Sequence, residues 1–238
     1  MTLGPNTNAP LELLSTKVIL VCGEDRGYLL PYVGATPSHS FRCFEFWKMP
    51  THTVILCGMG TGCVEPLIWE VIKPGIVGEI VLIGTAGKMP GTSVQIGQPY
   101  AVAKAWLAGT ALDGERVSQP VKPRWTEAIG VEWVDSVSTD FFYGFAPRVL
   151  EEDGYPFASG PLALRYAEHL AMGTELVDME VAAFYCFCEK FGDPGLTYLA
   201  IKGPSNELGA DGQQIAETGD VMERCMAIAK RVLKIEKR

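Results

Sequence analysis

Apolar residues in this chain fall into short unbroken runs that end in glycine. Val18-Ile19-Leu20-Val21-Cys22 stops at Gly23. Thr53-Val54-Ile55-Leu56-Cys57 leads into Gly58-Met59-Gly60, and Glu79-Ile80-Val81-Leu82-Ile83 leads into Gly84-Thr85-Ala86-Gly87. Runs this short and uniformly apolar predict strands buried on both faces, as in a largely parallel sheet covered by helices. Further strands are predicted over 99–106, 131–137 and 196–201. Helices are predicted over 65–72, 163–170, 178–191 and 220–235. The third is apolar nearly all round past Glu180, so it reads as a helix packed on the sheet. The fourth carries Lys230, Arg231, Lys234 and Lys237 toward its end, where the helix dipole favours cations. Residues 1–16 are polar and contain prolines, and predict a loose N-terminal arm. Residues 17–238 show no internal repeat and no boundary. The predicted class is α/β, a single domain whose largely parallel sheet is covered by helices.

Composition narrows the function. Twenty Lys and Arg against 28 Asp and Glu give a net charge of −8. That balance argues against a nucleic-acid or anionic-membrane partner, since phosphates call for clustered cations. No apolar run approaches the length of a membrane span. The start of the chain has neither a basic nor an apolar signal region, so none is expected. Seven scattered cysteines without a Cys-x-x-Cys pair, and only three histidines, predict no metal site. They fit a reducing, cytoplasmic compartment.

In an open α/β sheet, ligands collect at the carboxyl ends of the strands. Three glycine loops stand there, although none has the spacing of a dinucleotide fingerprint or a phosphate-binding loop with its lysine. Glu180 lies at the start of an apolar helix. A buried carboxylate is costly unless it is paired or bound. Two readings stand open: Glu180 or Asp178 caps the helix or faces solvent, or Glu180 accepts hydrogen bonds from a sugar diol and stabilises an oxocarbenium-like ribosyl group.

Four segments then point one way. They are Val18–Gly23, Gly58-Met59-Gly60, Ser138-Thr139-Asp140-Phe141-Phe142-Tyr143 and Val177-Asp178-Met179-Glu180-Val181-Ala182-Ala183. In this order they resemble motifs of the family that holds hexameric purine nucleoside phosphorylase, uridine phosphorylase and methylthioadenosine nucleosidase. The resemblance runs over residues 17–235. It implies cleavage of the N-glycosidic bond of a small-molecule nucleoside by water or phosphate, with no metal or organic cofactor. It also implies a single α/β domain with a twisted mixed central sheet flanked by helices on both faces, and a homodimer or higher homo-oligomer. It places Glu180 and Met179 at the ribose, Phe142, Gly87 and Arg148 at the base, and Gly23, Arg26 and Thr85 at the phosphate or water position.

The chain departs from the pattern in three places. Leu82 stands where family phosphorylases carry a phosphate-clamping arginine, which leans toward water as the nucleophile. With extra residues allowed around Asp193-Pro194, Asn206 matches the aspartate by which purine-cleaving members protonate the leaving base; the other reading is a loop position with no catalytic role. An amide donates hydrogen bonds but no proton, so Asn206 is the catalytic position most altered, with Lys202 or water as possible helpers. Ala146 replaces a pyrimidine-reading glutamine, while Arg148 is retained. The rival to an enzyme is a nucleoside-binding protein that keeps the fold without turnover.

Overall fold

The computed structural model describes residues 1–108, 119–125, 127, 129–140, 161–208 and 216–235. Nine strands among them form one sheet: β1 (Lys17–Cys22), β2 (His39–Phe41), β3 (Phe44–Lys48), β4 (Thr53–Cys57), β5 (Glu79–Lys88), β6 (Tyr100–Leu107), β7 (Trp133–Ser138), β8 (Leu176–Asp178) and β9 (Thr197–Glu207). The helices are α1 (Leu30–Val33), α2 (Thr61–Ile72), α3 (Pro161–Ala171), α4 (Val181–Phe191) and α5 (Thr218–Val232).

The strand order is β2-β3-β4-β1-β5-β8-β7-β6-β9, and β9 also pairs with β5. The second half of the sheet therefore closes on itself as a ring of β5, β8, β7, β6 and β9. The long strand β5 makes this possible. Its first half lies between β1 and β9, both parallel to it, and its last residues pair with antiparallel β8 across Gly87–Val177 and Lys88–Leu176. The sheet is mixed, as expected, with β3 antiparallel to β4 and β6 antiparallel to β9. One face is covered by α2 and α4 over a core that includes Leu20, Ile55, Leu82 and Phe184. The opposite face is covered by α5, whose Val221, Met222, Cys225 and Ala229 pack on Ile19, Val81 and Leu199. Among the described residues no helix is long and apolar enough to cross a membrane.

The strands expected from apolar runs are present, with β5 and β9 continuing several residues further. Three strands lacked that signature. β2 has a polar, half-exposed pattern, β8 has only three residues, and β3 alternates with charged Glu45 and Lys48. The helix expected from Asp178 begins instead at Val181, because Leu176, Val177 and Asp178 are drawn into the sheet by β7.

The N-terminal segment corrects the expectation of a loose arm. Leu3, Ala9, Leu13 and Leu14 are buried in the α2/α4 core. The segment is anchored on Glu70 of α2. Glu70 Oε1 accepts from the Asn6 backbone N–H and side-chain amide at 2.8 and 2.9 Å, and Oε2 accepts from the Thr7 N–H and hydroxyl at 2.9 and 2.7 Å. Burial raises the Glu70 carboxyl's affinity for a proton, but these four donors outweigh it and hold the group below its ordinary range. Polar composition misled here because the polar side chains face a carboxylate inside α2 rather than water. Glu70→Ala is expected to cost about 2 kcal/mol, the scale of hydrogen bonds to a buried charge. Melting should fall by roughly 4–8 °C, and proteolysis should begin within the first 16 residues; an unchanged melting temperature would contradict this anchor.

His52, in the turn between β3 and β4, is 5% exposed. Burial, then the nearby Lys230 and Lys17, hold its pKa down to about 4 from 6.5. The unfolded chain therefore takes up a proton that the folded one refuses. The contribution of neutral His52 to stability is complete above pH 6.5 and declines as pH falls toward about 4. The urea midpoint should be lower at pH 5 than at pH 7, and His52→Gln should shrink that difference. Equal differences in the two proteins would contradict it.

Candidate active site

Two helices begin at the carboxyl ends of the strands, and Glu180, at the N-cap position of α4, makes no side-chain hydrogen bond to that helix. At α4, Asp178 Oδ1 accepts from the backbone N–H groups of Glu180 and Val181, each at 2.8 Å, and from the Ser138 hydroxyl at 2.7 Å. Its other oxygen accepts from Ser136. Ser138 Oγ in turn accepts from the Ala182 N–H at 2.8 Å. At α2, Asp140 accepts from the Thr61 N–H at 2.9 Å and from its hydroxyl at 2.5 Å. The Ser138-Thr139-Asp140 motif thus satisfies one N–H in the first turn of each helix, Ala182 of α4 through Ser138 and Thr61 of α2 through Asp140.

With its helix already capped, Glu180 turns its side chain into the protein. It is 3% exposed. Oε1 accepts from the Gly60 N–H at 3.0 Å, and Oε2 pairs with Lys202 Nζ at 3.0 Å. Gly60 has φ +85°, a left-handed conformation that glycine adopts without strain, and this aims its N–H at the carboxylate. Lys202 comes from β9 and is buried to the same degree. Burial opposes its charge, yet Glu180, and after it Asp178, Cys22 and Glu24, hold its proton more tightly than usual. Lys202 therefore keeps its charge inside the protein.

A second carboxylate completes the cluster. Glu24, just after Gly23, accepts from the Thr85 N–H at 2.5 Å and from the Thr85 hydroxyl at 2.8 Å, both through Oε1. Burial pushes its pKa up, opposed by Thr85 and Lys202 and assisted by the negative charge of Glu180. Gly84 lets these groups meet. A Cβ there would stand 2.9 Å from Lys202 Nζ and 3.3 Å from Glu24 Oε1. At Gly23 a Cβ would lie 3.5 Å from Glu180 Oε1. The strand ends of β1, β4, β5 and β9 and the start of α4 thus converge on two carboxylates, one ammonium and a threonine hydroxyl.

Of the residues expected from sequence, Glu180, Gly23 and Thr85 are brought together here. Met179 is half-buried, with its Cε 4.0 Å from where a Gly60 Cβ would stand. Asn206 lies on β9 opposite Gly87 of β5 and is half-buried. The missing side chain of Gly87 serves strand packing: a Cβ would be 2.9 Å from Val177 Cγ1 and 3.3 Å from Leu208.

Arg26 is engaged elsewhere. Its guanidinium lies 3.4 Å from Glu45, bonds the Ala35 carbonyl and sits over the Trp47 ring, apart from the Glu180–Lys202 cluster's hydrogen bonds. Leu82 is fully buried in the core, mid-strand, so its identity says nothing about what an anion would meet at the strand end. Phe142 and Arg148 lie outside the described residues. Sequence reasoning missed Glu24 and gave Lys202 only an auxiliary part. The available signal was an acidic residue directly after the first glycine, and a lysine at the end of an otherwise apolar strand.

No family profile matches the chain, and no curated protein matches it in sequence. Its fold is that of the nucleoside phosphorylases and nucleosidases. Among the solved structures it resembles is the 5′-methylthioadenosine nucleosidase of Arabidopsis thaliana, at 14% identity and a TM-score of 0.67, with 93% of this chain and 95% of that one aligned. A second is the 5′-methylthioadenosine/S-adenosylhomocysteine nucleosidase of Colwellia psychrerythraea in complex with adenine, at 15% identity and a TM-score of 0.66 over 92% of this chain and 95% of that one. A third is the futalosine hydrolase of Helicobacter pylori, at 12% identity and a TM-score of 0.64 over 92% and 98%.

Proposed function

We propose that this protein hydrolyses the N-glycosidic bond of a nucleoside or nucleoside-like metabolite, releasing the free base and the sugar. The observation that carries the reading is the Glu180–Lys202 pair, a buried ion pair at the strand ends whose carboxylate makes no hydrogen bond to its own helix. A buried pair of this kind is a poor source of stability, since desolvation offsets much of the attraction. A functional use accounts for its placement. The solved structures with this fold named above are nucleosidases and a hydrolase, which supports the same chemistry.

Among the described residues each oxygen of Glu180 accepts one bond, which leaves each a lone pair for a sugar hydroxyl. Lys202 fixes the carboxylate's orientation and supplies its counter-ion. The negative charge then faces the ribosyl group as it becomes oxocarbenium-like. Met179 would pack beneath the sugar, and Phe142, Gly87 and Arg148 would border the base. Glu24 suits removal of a proton from the attacking water, because its raised pKa brings a carboxyl toward the working pH. Water is favoured over phosphate for an electrostatic reason. The Thr85 N–H and hydroxyl are already taken by Glu24, and a phosphate dianion would face both Glu24 and Glu180 with Lys202 as the nearby cation. Asn206 can hydrogen-bond the base but cannot protonate it, which points to slow turnover or a base that leaves readily. A homo-oligomer built from dimers, in a cytoplasmic setting, belongs to the same proposal; sedimentation as a monomer at micromolar concentration would remove that part.

The direct test is a panel of purine and pyrimidine nucleosides, with and without inorganic phosphate, at high enzyme concentration. Free base at the same rate in both arms supports hydrolysis. A strict need for phosphate would replace it by phosphorolysis. Calorimetric binding without base release would support the non-catalytic alternative, which the amide at Asn206 favours.

A further inference from the structure

A second pair of reactive groups lies beside the glycine turn that holds Glu180. Cys43 occupies the turn between β2 and β3 and is exposed. Cys63 lies in the first turn of α2 and is partly exposed. Their sulfurs are 3.9 Å apart, although 20 residues separate them. The two side chains meet over the bare backbone of Gly58. A Cβ there would stand 2.8 Å from Cys63 Sγ and 3.3 Å from Cys43 Cβ. Two residues on, the Gly60 N–H holds the Glu180 carboxylate. A dithiol is therefore seated on the outer side of the turn whose inner side orients the candidate catalytic group.

From this geometry we propose that Cys43 and Cys63 form a reversible disulfide on exposure to peroxide, and that the bond locks the Gly58-Met59-Gly60 turn. A disulfide needs sulfurs about 2.05 Å apart, so an approach of roughly 2 Å shared between two side chains suffices. Cys43 is the sulfur that meets the oxidant. It is the more exposed of the two, and burial, together with the adjacent Cys43, holds the Cys63 thiol up to about 11. The Cys43 thiolate attacks one peroxide oxygen, giving a sulfenic acid and water. The Cys63 sulfur then displaces the oxygen from Cys43 as a second water. In sum, two thiols lose two electrons and two protons, and one peroxide becomes two waters.

Another thiol pair acts as an internal control. Cys22 and Cys57 are register partners on β1 and β4, with sulfurs 3.0 Å apart, but both are buried, at 1% and 2% exposure. Their hydrogen bond, then burial, push the Cys57 thiol well up, and no oxidant reaches it from solvent. They should stay reduced.

The experiment treats the purified full chain with stoichiometric hydrogen peroxide, blocks remaining thiols by alkylation and maps the peptides. Peptide mapping keeps oxidation of the exposed Met59 separate from the cysteine chemistry. The expected result is one cross-link, Cys43 to Cys63, that dithiothreitol reverses. In Cys63→Ser, Cys43 should instead gain oxygen, and in Cys43→Ser no cross-link should form. Hydrogen exchange over residues 57–64 should slow in the oxidised protein by about tenfold or more, as expected when a cross-link suppresses local opening. All seven thiols still free, a cross-link at Cys22–Cys57, or unchanged exchange in that segment would each overturn the proposal. None of these readouts depends on nucleoside cleavage.

Discussion

Glu180→Gln should lower kcat by about 10²-fold or more, close to 2.7 kcal/mol, the scale of removing one preorganised electrostatic stabiliser. The amide keeps the size of the side chain and can still accept from the Gly60 N–H. What it loses is the charge, and charge matters most where the sugar becomes cationic on the way to cleavage. The rate should therefore fall more than nucleoside binding weakens. The substitution also leaves the Lys202 ammonium buried without its counter-ion, so some stability should be lost as well. Measuring kcat, KM and melting temperature on the same variant separates these effects. A normal kcat in a protein that melts early would reduce Glu180 to a structural partner of Lys202.

Lys202→Met should destabilise the protein by about 3–5 kcal/mol, the range for removing one member of a buried ion pair. For a chain of this size that corresponds to a fall in melting temperature of roughly 6–20 °C. The cause is not lost packing, because methionine fills a similar volume. It is the carboxylate left behind: Glu180 would keep one backbone donor, with Glu24 close enough to repel it. The double variant Lys202→Met with Glu180→Gln removes both charges together and should recover much of the loss. Additive losses in that cycle would mean that the two groups do not act as a pair.

The β1, β4 and β5 strands were legible because each is apolar on both faces and ends in glycine, a pattern that few other structures produce. The edge strand β2 and its neighbour β3 were not. β2 lies at the border of the sheet, and the alternation of apolar with polar or charged residues in the two strands spans too few positions to stand out. β8 could not be read at all. Leu176, Val177 and Asp178 become a strand only because β7 and β5 lie on either side of them. The arm at residues 1–16 was misread for the same reason, since its partner is a carboxylate more than 60 positions away.

At the candidate site the division is sharper. The sequence alone marked Glu180 and Gly23, because a carboxylate in an apolar helix and glycines at strand ends are locally unusual, and the family resemblance added Thr85. It left open whether Glu180 or Asp178 served as the cap, since the two are only two positions apart on one helix start. Tertiary structure decided that: Ser136 and Ser138 on β7 hold Asp178 at the helix end, and Lys202 and Gly60 draw Glu180 inward. It likewise brought in Glu24, assigned Arg26 to Glu45, and placed Leu82 in the core. Local chemistry shows which groups are costly to bury. Which partner repays that cost depends on strand order and register, through contacts between residues far apart in the chain.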